Sequence, residues 1–314
     1  MIRARDPQGK RRLNEGWGSA TVGRLSATAS ASMGSYLRPS VLDDALRARA
    51  ARPCAVLAGG TDFYPARVGR TIEEDVLDIT ALAGLRGVRE APAHWRIGAL
   101  TTWSELVAAP LPAWFDAVKL AAREVGGVQI QNAGTVAGNL CNASPAADGV
   151  PPLLALGAEV ELASVRGTRT LPLGEFVLGN RRTACAPDEL VTAVLVPKWG
   201  GRARSTFLKL GARRYLVISI AMVAAAVESD ASGAIMRCGV AVGACSAATQ
   251  RLPALEAALA GRTLGPGIGA LVAPAHLAPL APITDVRASA AYRGDAAATL
   301  VARALEKLAY EQAR

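Results

Sequence analysis

Leu57-Ala58-Gly59-Gly60-Thr61-Asp62 closes a short apolar run, and Gly134-Thr135-Val136-Ala137-Gly138-Asn139 leads directly into Leu140-Cys141-Asn142-Ala143-Ser144-Pro145. Glycines let backbone amides approach a phosphate closely, and Thr or Asn side chains add donors, so each stretch is able to cradle one side of a pyrophosphate. Neither is a Walker or Rossmann fingerprint: the first lacks Gly-Lys-Ser/Thr, and neither follows the G-x-G-x-x-G spacing with a distant acidic residue. Taken alone, each is more often an ordinary tight turn, because glycine is the commonest turn former.

Outward from these stretches the pattern is one of small alternating units. Upstream, Ser40 with Asp43 reads as a capping box for a helix to about Arg49, and Cys54 to Ala58 as a short buried strand. Asp75 to Ile79 and Trp95 to Ala99 look like further strands, and Thr102 with Glu105 caps a helix ahead of an amphipathic one from Ala113 to Val125. Pro151 and Pro152 suit the first turn of a helix to Leu156, and Glu159 to Ala163, Leu190 to Val196 and Thr206 to Leu210 are strand-like. A turn-rich boundary lies near Lys198 to Ala203. Beyond it, Tyr215 to Val227 and Ile235 to Ala244 read as a strand pair, with helices at Leu252 to Ala260 and Asp295 to Gln312.

Composition narrows the function classes. The chain of 314 residues is 51% apolar, enough for a core larger than one small domain. Its longest apolar run, Tyr215 to Val227, is too short for a bilayer-spanning helix, which needs roughly 20 residues. The net charge of +9 is uneven: residues 1–32 hold six basic and two acidic residues, leaving +5 for the rest. With aromatics at only 4% and no basic-aromatic interleaving, nucleic-acid binding is not expected.

Residues 1–32 have no hydrophobic periodicity and are expected to be a disordered extension, either a targeting segment or sequence upstream of a start at Met33. The five cysteines are scattered and never form the close pairs of zinc or iron–sulfur sites, so they are read as buried thiols in a reducing cytoplasm. His94 and His276 lack metal-ligand spacing. No metal site and no catalytic residue is assigned.

The two glycine stretches gain meaning from what surrounds them. Ala58-Gly59-Gly60-Thr61-Asp62 and Gly134-Thr135-Val136-Ala137-Gly138-Asn139 through Ser144-Pro145-Ala146-Ala147-Asp148 resemble the signature segments of the FAD-binding medium subunits of the xanthine dehydrogenase and carbon monoxide dehydrogenase family. Leu77-Asp78-Ile79, Arg96-Ile97-Gly98-Ala99, Leu154 to Ala158, Glu189-Leu190 to Pro197, Phe207-Leu208-Lys209 and Tyr292-Arg293 extend the likeness from Tyr36 to the C-terminus.

The resemblance implies an α+β fold: a two-lobed FAD-binding domain of the PCMH type at 33–200, then a C-terminal α/β domain of the carbon monoxide dehydrogenase flavoprotein type at 201–314. It places Leu57, Ala58, Gly59, Gly60, Thr61, Asp62 and Phe63 on one side of the FAD and Thr135, Gly138 and Asn139 on the other. Asp148 falls at an acidic position near the cofactor. Val191 matches a residue packed on the isoalloxazine ring, or is plain strand core; Lys209 matches a flavin-contacting lysine, or is a solvated strand edge. Tyr215 either approaches the flavin or opens the buried strand. Val125 departs from the aromatic that xanthine dehydrogenases place beside the adenine.

The implied function is electron transfer within a molybdenum hydroxylase. A large partner subunit would hold the molybdenum cofactor, a small one the 2Fe-2S clusters, and a dimer of heterotrimers in the cytoplasm is one assembly this allows. The alternatives are a free-standing FAD-dependent oxidoreductase of the same fold superfamily, which would need its own substrate domain and catalytic acid or base, and a non-enzymatic nucleotide-binding protein.

Overall fold

The computed structural model describes residues 34–312, so the expectation for residues 1–32 lies outside the described residues. Three sheets follow one another along the chain. The first is parallel, with β1 (Tyr36–Leu37), β2 (Ala55–Leu57) and β3 (Val76–Asp78) in the order β1-β3-β2. Helix α1 (Leu42–Ala51) connects β1 to β2. The second is antiparallel: β4 (Val88–Glu90), β5 (His94–Gly98), β6 (Glu159–Ser164), β7 (Gly167–Pro172) and β10 (Leu190–Pro197) in the order β4-β5-β10-β6-β7. A small hairpin, β8 (Val177–Gly179) with β9 (Arg182–Thr183), stands beside it. The third sheet is the antiparallel meander β11 (Arg204–Leu210), β12 (Ala221–Ser229), β13 (Ile235–Gly243) and β14 (Gln250–Arg251).

Helices fill the spaces between these sheets. They are α2 (Trp103–Ala108), α3 (Asp116–Glu124), α4 (Val128–Ala133), α5 (Val136–Asn142), α6 (Val150–Ala155), α7 (Leu173–Phe176), α8 (Pro253–Leu259) and α9 (Ala290–Gln312). The α2 capping box is present in full: Thr102 accepts from the Glu105 amide, and Glu105 accepts from the Thr102 amide.

Strand β12 explains the apolar run that precedes Glu228. Met222, Ala224 and Ala226 face one core, shared with Trp103, Leu153 and Val194, while Ala221, Val223, Ala225 and Val227 face a second, built with α8 and α9. A strand buried on both faces shows no polar alternation. Small residues also bring layers close: a Cβ at Gly239 would lie 2.0 Å from the Ala155 carbonyl oxygen, so the end of α6 rests directly on β13.

Four local readings are corrected. Ser40 caps nothing: α1 begins at Leu42 with Val41 as its N-cap and no side-chain cap bond, so Asp43 falls one position too early for a box. The strand expected from Tyr215 starts at Ala221, because β11 ends at Leu210 and pairs it with Ala221; residues 211–220 are the hairpin connection. Leu216 there has a left-handed φ of 50°, incompatible with a strand. The segment after Gly134 is a helix rather than a turn, since the Thr135 cap and the burial of Val136, Ala137 and Leu140 outweigh the roughly 1 kcal/mol that Gly138 costs a helix. Of the five cysteines only Cys245 is buried, while Cys54, Cys185 and Cys238 are half-buried and Cys141 is exposed.

Candidate functional site

The two glycine stretches meet. After β2 the chain turns at Gly60, whose φ of +73° is left-handed, and the Tyr64 amide donates back to the Gly60 carbonyl at 3.1 Å. A Cβ at Gly59 would lie 2.0 Å from the Ala133 carbonyl oxygen, so the turn is in backbone contact with the α4–α5 junction. That junction is fixed in turn: the Trp103 amide donates to the Gly134 carbonyl at 3.2 Å and the Val136 amide to Thr101 at 2.9 Å.

A cavity of about 660 Å³ opens where they meet, within the size range of small-molecule and cofactor sites. Of the expected site residues, Ala58, Gly59, Gly60, Thr61, Asp62, Phe63, Thr135, Gly138, Asn139 and Val191 all lie on its wall. Leu57 is buried behind the turn. The Gly138 amide is already occupied by the Thr135 hydroxyl at 3.0 Å, and the Asn139 amide by the Thr135 carbonyl at 3.1 Å. The second stretch therefore meets the cavity with side chains and not with free backbone amides; Asn139 lies on the wall, and its Oδ1 is buried on the Gly149 side without a hydrogen bond.

Asp148, Lys209 and Tyr215 are not on this wall. Asp148 and Lys209 instead pair with each other at 2.7 Å, both nearly buried, and Ser219 donates to the second Asp148 oxygen at 2.8 Å. Burial pushes the Asp148 carboxyl up, and the lysine opposes that only in part. Lys209 also edges a second cavity of about 410 Å³ with Glu124, Arg213 and Arg214. Tyr215 is 69% exposed on the β11–β12 connection, with the Arg214 guanidinium 5.6 Å from its ring centre.

Several wall residues had no signal in the sequence. Arg49, Cys54, Arg67, Ile130, Cys141, Arg181, Thr183, Cys185 and Glu189 line the cavity as well. Arg67 lies over the Phe63 ring at 3.8 Å. Burial raises the Cys185 thiol to about 11, so it stays protonated near neutrality. The Glu189 carboxylate is held low first by Arg169, whose two bonds measure 2.6 and 2.8 Å, and then by the Ala186 amide. Away from the cavity, His94 opens β5 and His276 accepts from the Ala273 amide, as ordinary strand-end and surface roles require. Among the described residues, no three His, Cys, Asp or Glu side chains converge on a metal-sized site.

Comparison with known proteins gives these groups a context. Residues 29–199 match the FAD binding domain in molybdopterin dehydrogenase, and residues 206–308 match the CO dehydrogenase flavoprotein C-terminal domain. The chain is 30% identical to the nicotine 6-hydroxylase medium subunit of Paenarthrobacter nicotinovorans, over 86% of this chain and 95% of that one. It is 38% identical to the nicotinate dehydrogenase FAD-subunit of Eubacterium barkeri, over 58% of this chain but only 63% of that protein's length. A carbon monoxide dehydrogenase structure from Hydrogenophaga pseudoflava superposes with a TM-score of 0.81 at 26% identity, covering 89% of this chain and 98% of that one.

Proposed function

The chain belongs to the family of FAD-binding domains of molybdopterin dehydrogenases, and from that premise we propose that it is the flavin subunit through which a molybdenum hydroxylase passes electrons to an external acceptor. The observation that carries the reading is the single cavity onto which both glycine stretches open, walled by Thr61, Asp62, Thr135 and Asn139. Its volume and donors fit a dinucleotide. Gly59, Gly60, Thr61 and Asp62 would hold the pyrophosphate from one side and Thr135 and Asn139 from the other, with Gly138 leaving room for it and Val191 against the ring.

Bound FAD supplies a carrier that accepts electrons singly or in pairs. The chain's own task is positional: Gly59 keeps the two walls in register, Thr135 caps α5 and fixes it on the wall, and Val191 excludes water from one face. Asp148 and Lys209 enter this reading as the buried pair that joins the start of α6 to β11 beside the cofactor. Tyr215 is placed on the exposed connection near the second cavity.

The relatives are named as subunits of larger dehydrogenases, which supports a large molybdenum-cofactor partner and a small 2Fe-2S partner. A dimer of such heterotrimers is the assembly proposed. No helix of the described residues is long and apolar enough to cross a membrane, and five free cysteines suit a reducing cytoplasm. The matched ranges support a FAD-binding region at 33–200 and a C-terminal one at 201–314.

Calorimetric titration of the apo chain tests the core of this. FAD should bind at least about tenfold more tightly than FMN, which lacks the groups that both walls would grip, a difference of about 1.4 kcal/mol. Equal affinity for the two flavins would remove the pyrophosphate from the site.

A further inference from the structure

Arg49, Arg67 and Arg181 line the cavity, and they are differently engaged. Arg67 pairs with Glu74, and Arg49 turns its guanidinium to the Cys54 carbonyl. The exposed guanidinium of Arg181 donates only to the side-chain oxygen of Asn142, at 3.2 Å, and among the described residues no carboxylate pairs with it. The acidic residues that follow its hairpin, Asp188 and Glu189, are taken by Arg166 and Arg169. A guanidinium carries five N–H donors, so most of those on Arg181 are free for a ligand. Its backbone is also strained. Arg181 has a left-handed φ of 54° in the turn between β8 and β9, a conformation that turns ordinarily give to Gly or Asn. Its amide donates at 3.0 Å to the carbonyl of Ala143, the C-cap of α5, which is left-handed in its turn with φ 47°. Two strained non-glycine residues thus meet in one hydrogen bond where the hairpin joins the cavity wall, and strain held by its surroundings gathers at ligand sites.

The place of Arg181 on α5 sets what that ligand is. Thr135, Asn139 and Asn142 recur at helical spacing and all lie on the wall. Side chains three apart on a helix stand about 5–6 Å from each other at Cβ, so the guanidinium bonded to Asn142 is one turn along from Asn139. A dianionic pyrophosphate seated against Asn139 needs a countercharge or free donors. The backbone of α5 does not supply them, because Thr135 already occupies the Gly138 and Asn139 amides. Arg181 supplies both.

We propose that Arg181 is the cation that binds the pyrophosphate of the dinucleotide, presented to the cavity by a hairpin turn held in a left-handed conformation against the end of α5. This inference rests on the flavin-subunit reading. A planar fork of N–H donors matches two phosphate oxygens at once, which an ammonium does not. The left-handed backbone is retained because an arginine there carries a charge that the glycine favoured by the turn lacks.

The test compares Arg181→Gly and Arg181→Lys with the unaltered chain, by calorimetric titration with FAD and separately with ADP at low and high salt, and by thermal unfolding of the apo proteins. Arg181→Gly removes the charge and relieves the strained φ, so binding and folding should move apart. Its melting temperature should hold or rise, while FAD and ADP, which share the pyrophosphate, should each bind about five- to tenfold more weakly and with a flatter salt dependence. Arg181→Lys, which keeps the charge and loses the fork, should recover part of both affinities. Affinities of Arg181→Gly within about twofold of the unaltered chain would overturn the proposal, as would a loss of FAD with ADP unchanged, which would move Arg181 to the flavin end. A Lys variant no better than the Gly variant would show that the charge plays no part. An unaltered chain that takes up no FAD would defeat the flavin-subunit reading itself, whereas FAD uptake indifferent to residue 181 would defeat this inference alone.

Discussion

Replacing Gly59 by Ala adds one carbon at the point where the cavity's two walls touch. That carbon would sit 2.0 Å from the Ala133 carbonyl oxygen, 2.8 Å from its carbon and 3.0 Å from the Gly134 Cα. Carbon–oxygen contacts ordinarily begin near 3.3 Å, so one wall has to retreat by about 1 Å, and every opposing atom is backbone. Gly59 is not among the glycines with a left-handed φ, so the cost is steric and not conformational. Overpacking of this kind costs about 1–3 kcal/mol. If it falls on the grip of the two walls, FAD affinity drops about 5- to 150-fold. Gly84→Ala, where a Cβ meets nothing within 4 Å, is the control. Calorimetric titration with FAD and thermal unfolding of the apo protein give the two readouts. A Gly59→Ala protein that binds FAD within twofold of the control and melts with it would show that the contact between the stretches plays no part in the site.

Other perturbations follow from the same geometry. Lys209→Met leaves the Asp148 carboxyl buried without its cation and should cost about 3–5 kcal/mol in urea unfolding, with Asp148→Asn in the same background recovering part of the loss. Arg293, 3% exposed, donates to the Ile220 and Ala244 carbonyls at 2.6 and 3.0 Å and pairs with Asp285; Arg293→Met should lose about 2–4 kcal/mol, and a change under about 0.5 kcal/mol would contradict that role. Glu189 is held low by Arg169, Glu161 by Arg96 and Thr192 although burial works against them, and Asp285 by the Arg287 amide and Arg293. Groups with depressed folded values stabilise above the unfolded value near 4 and lose that contribution as pH falls through the folded one, so melting temperature should decline below about pH 4. The Glu189→Gln protein should start lower at pH 7 and decline less steeply, and an unchanged slope would exclude Glu189 as a contributor.

What was legible in the sequence was local. Thr102 with Glu105, the prolines opening α6 and the left-handed Gly60 each act within a few residues, and each is where the pattern placed it. The two glycine stretches were visible as glycine, but their partner was not. Gly59 is required by Ala133, a contact no periodicity announces. Gly138 misled in the other direction, because glycine lowers helix propensity while the Thr135 cap and buried Leu140 restore the helix from outside that scale. Arg49 carried no signal at all: in a helix with Asp43, Asp44 and Arg47 it reads as one more solvated charge. Only the fold turns it toward the β2 end and leaves its Nε without an acceptor.

The cavity's dependence on distant packing has a structural origin in β10. Leu190 belongs to the small core beneath α1 and β3, while Val191, the next residue, belongs to the large core shared with α2, α5 and the third sheet. Successive residues of a strand point to opposite faces, so a single peptide step at the edge of the site divides two cores. The register shift between Val191 and Ala193 marks the same place, where a bulge redirects a side chain without ending the strand. One wall of the cavity, the β2 turn, hangs from the small core; the other, α5, is built into the large one. Their direct connection is the Gly59 contact, and β10 is the strand that binds both. A cofactor lying between these walls would therefore be held by two separately packed bodies, and its ring would take its orientation from β10, the element common to them.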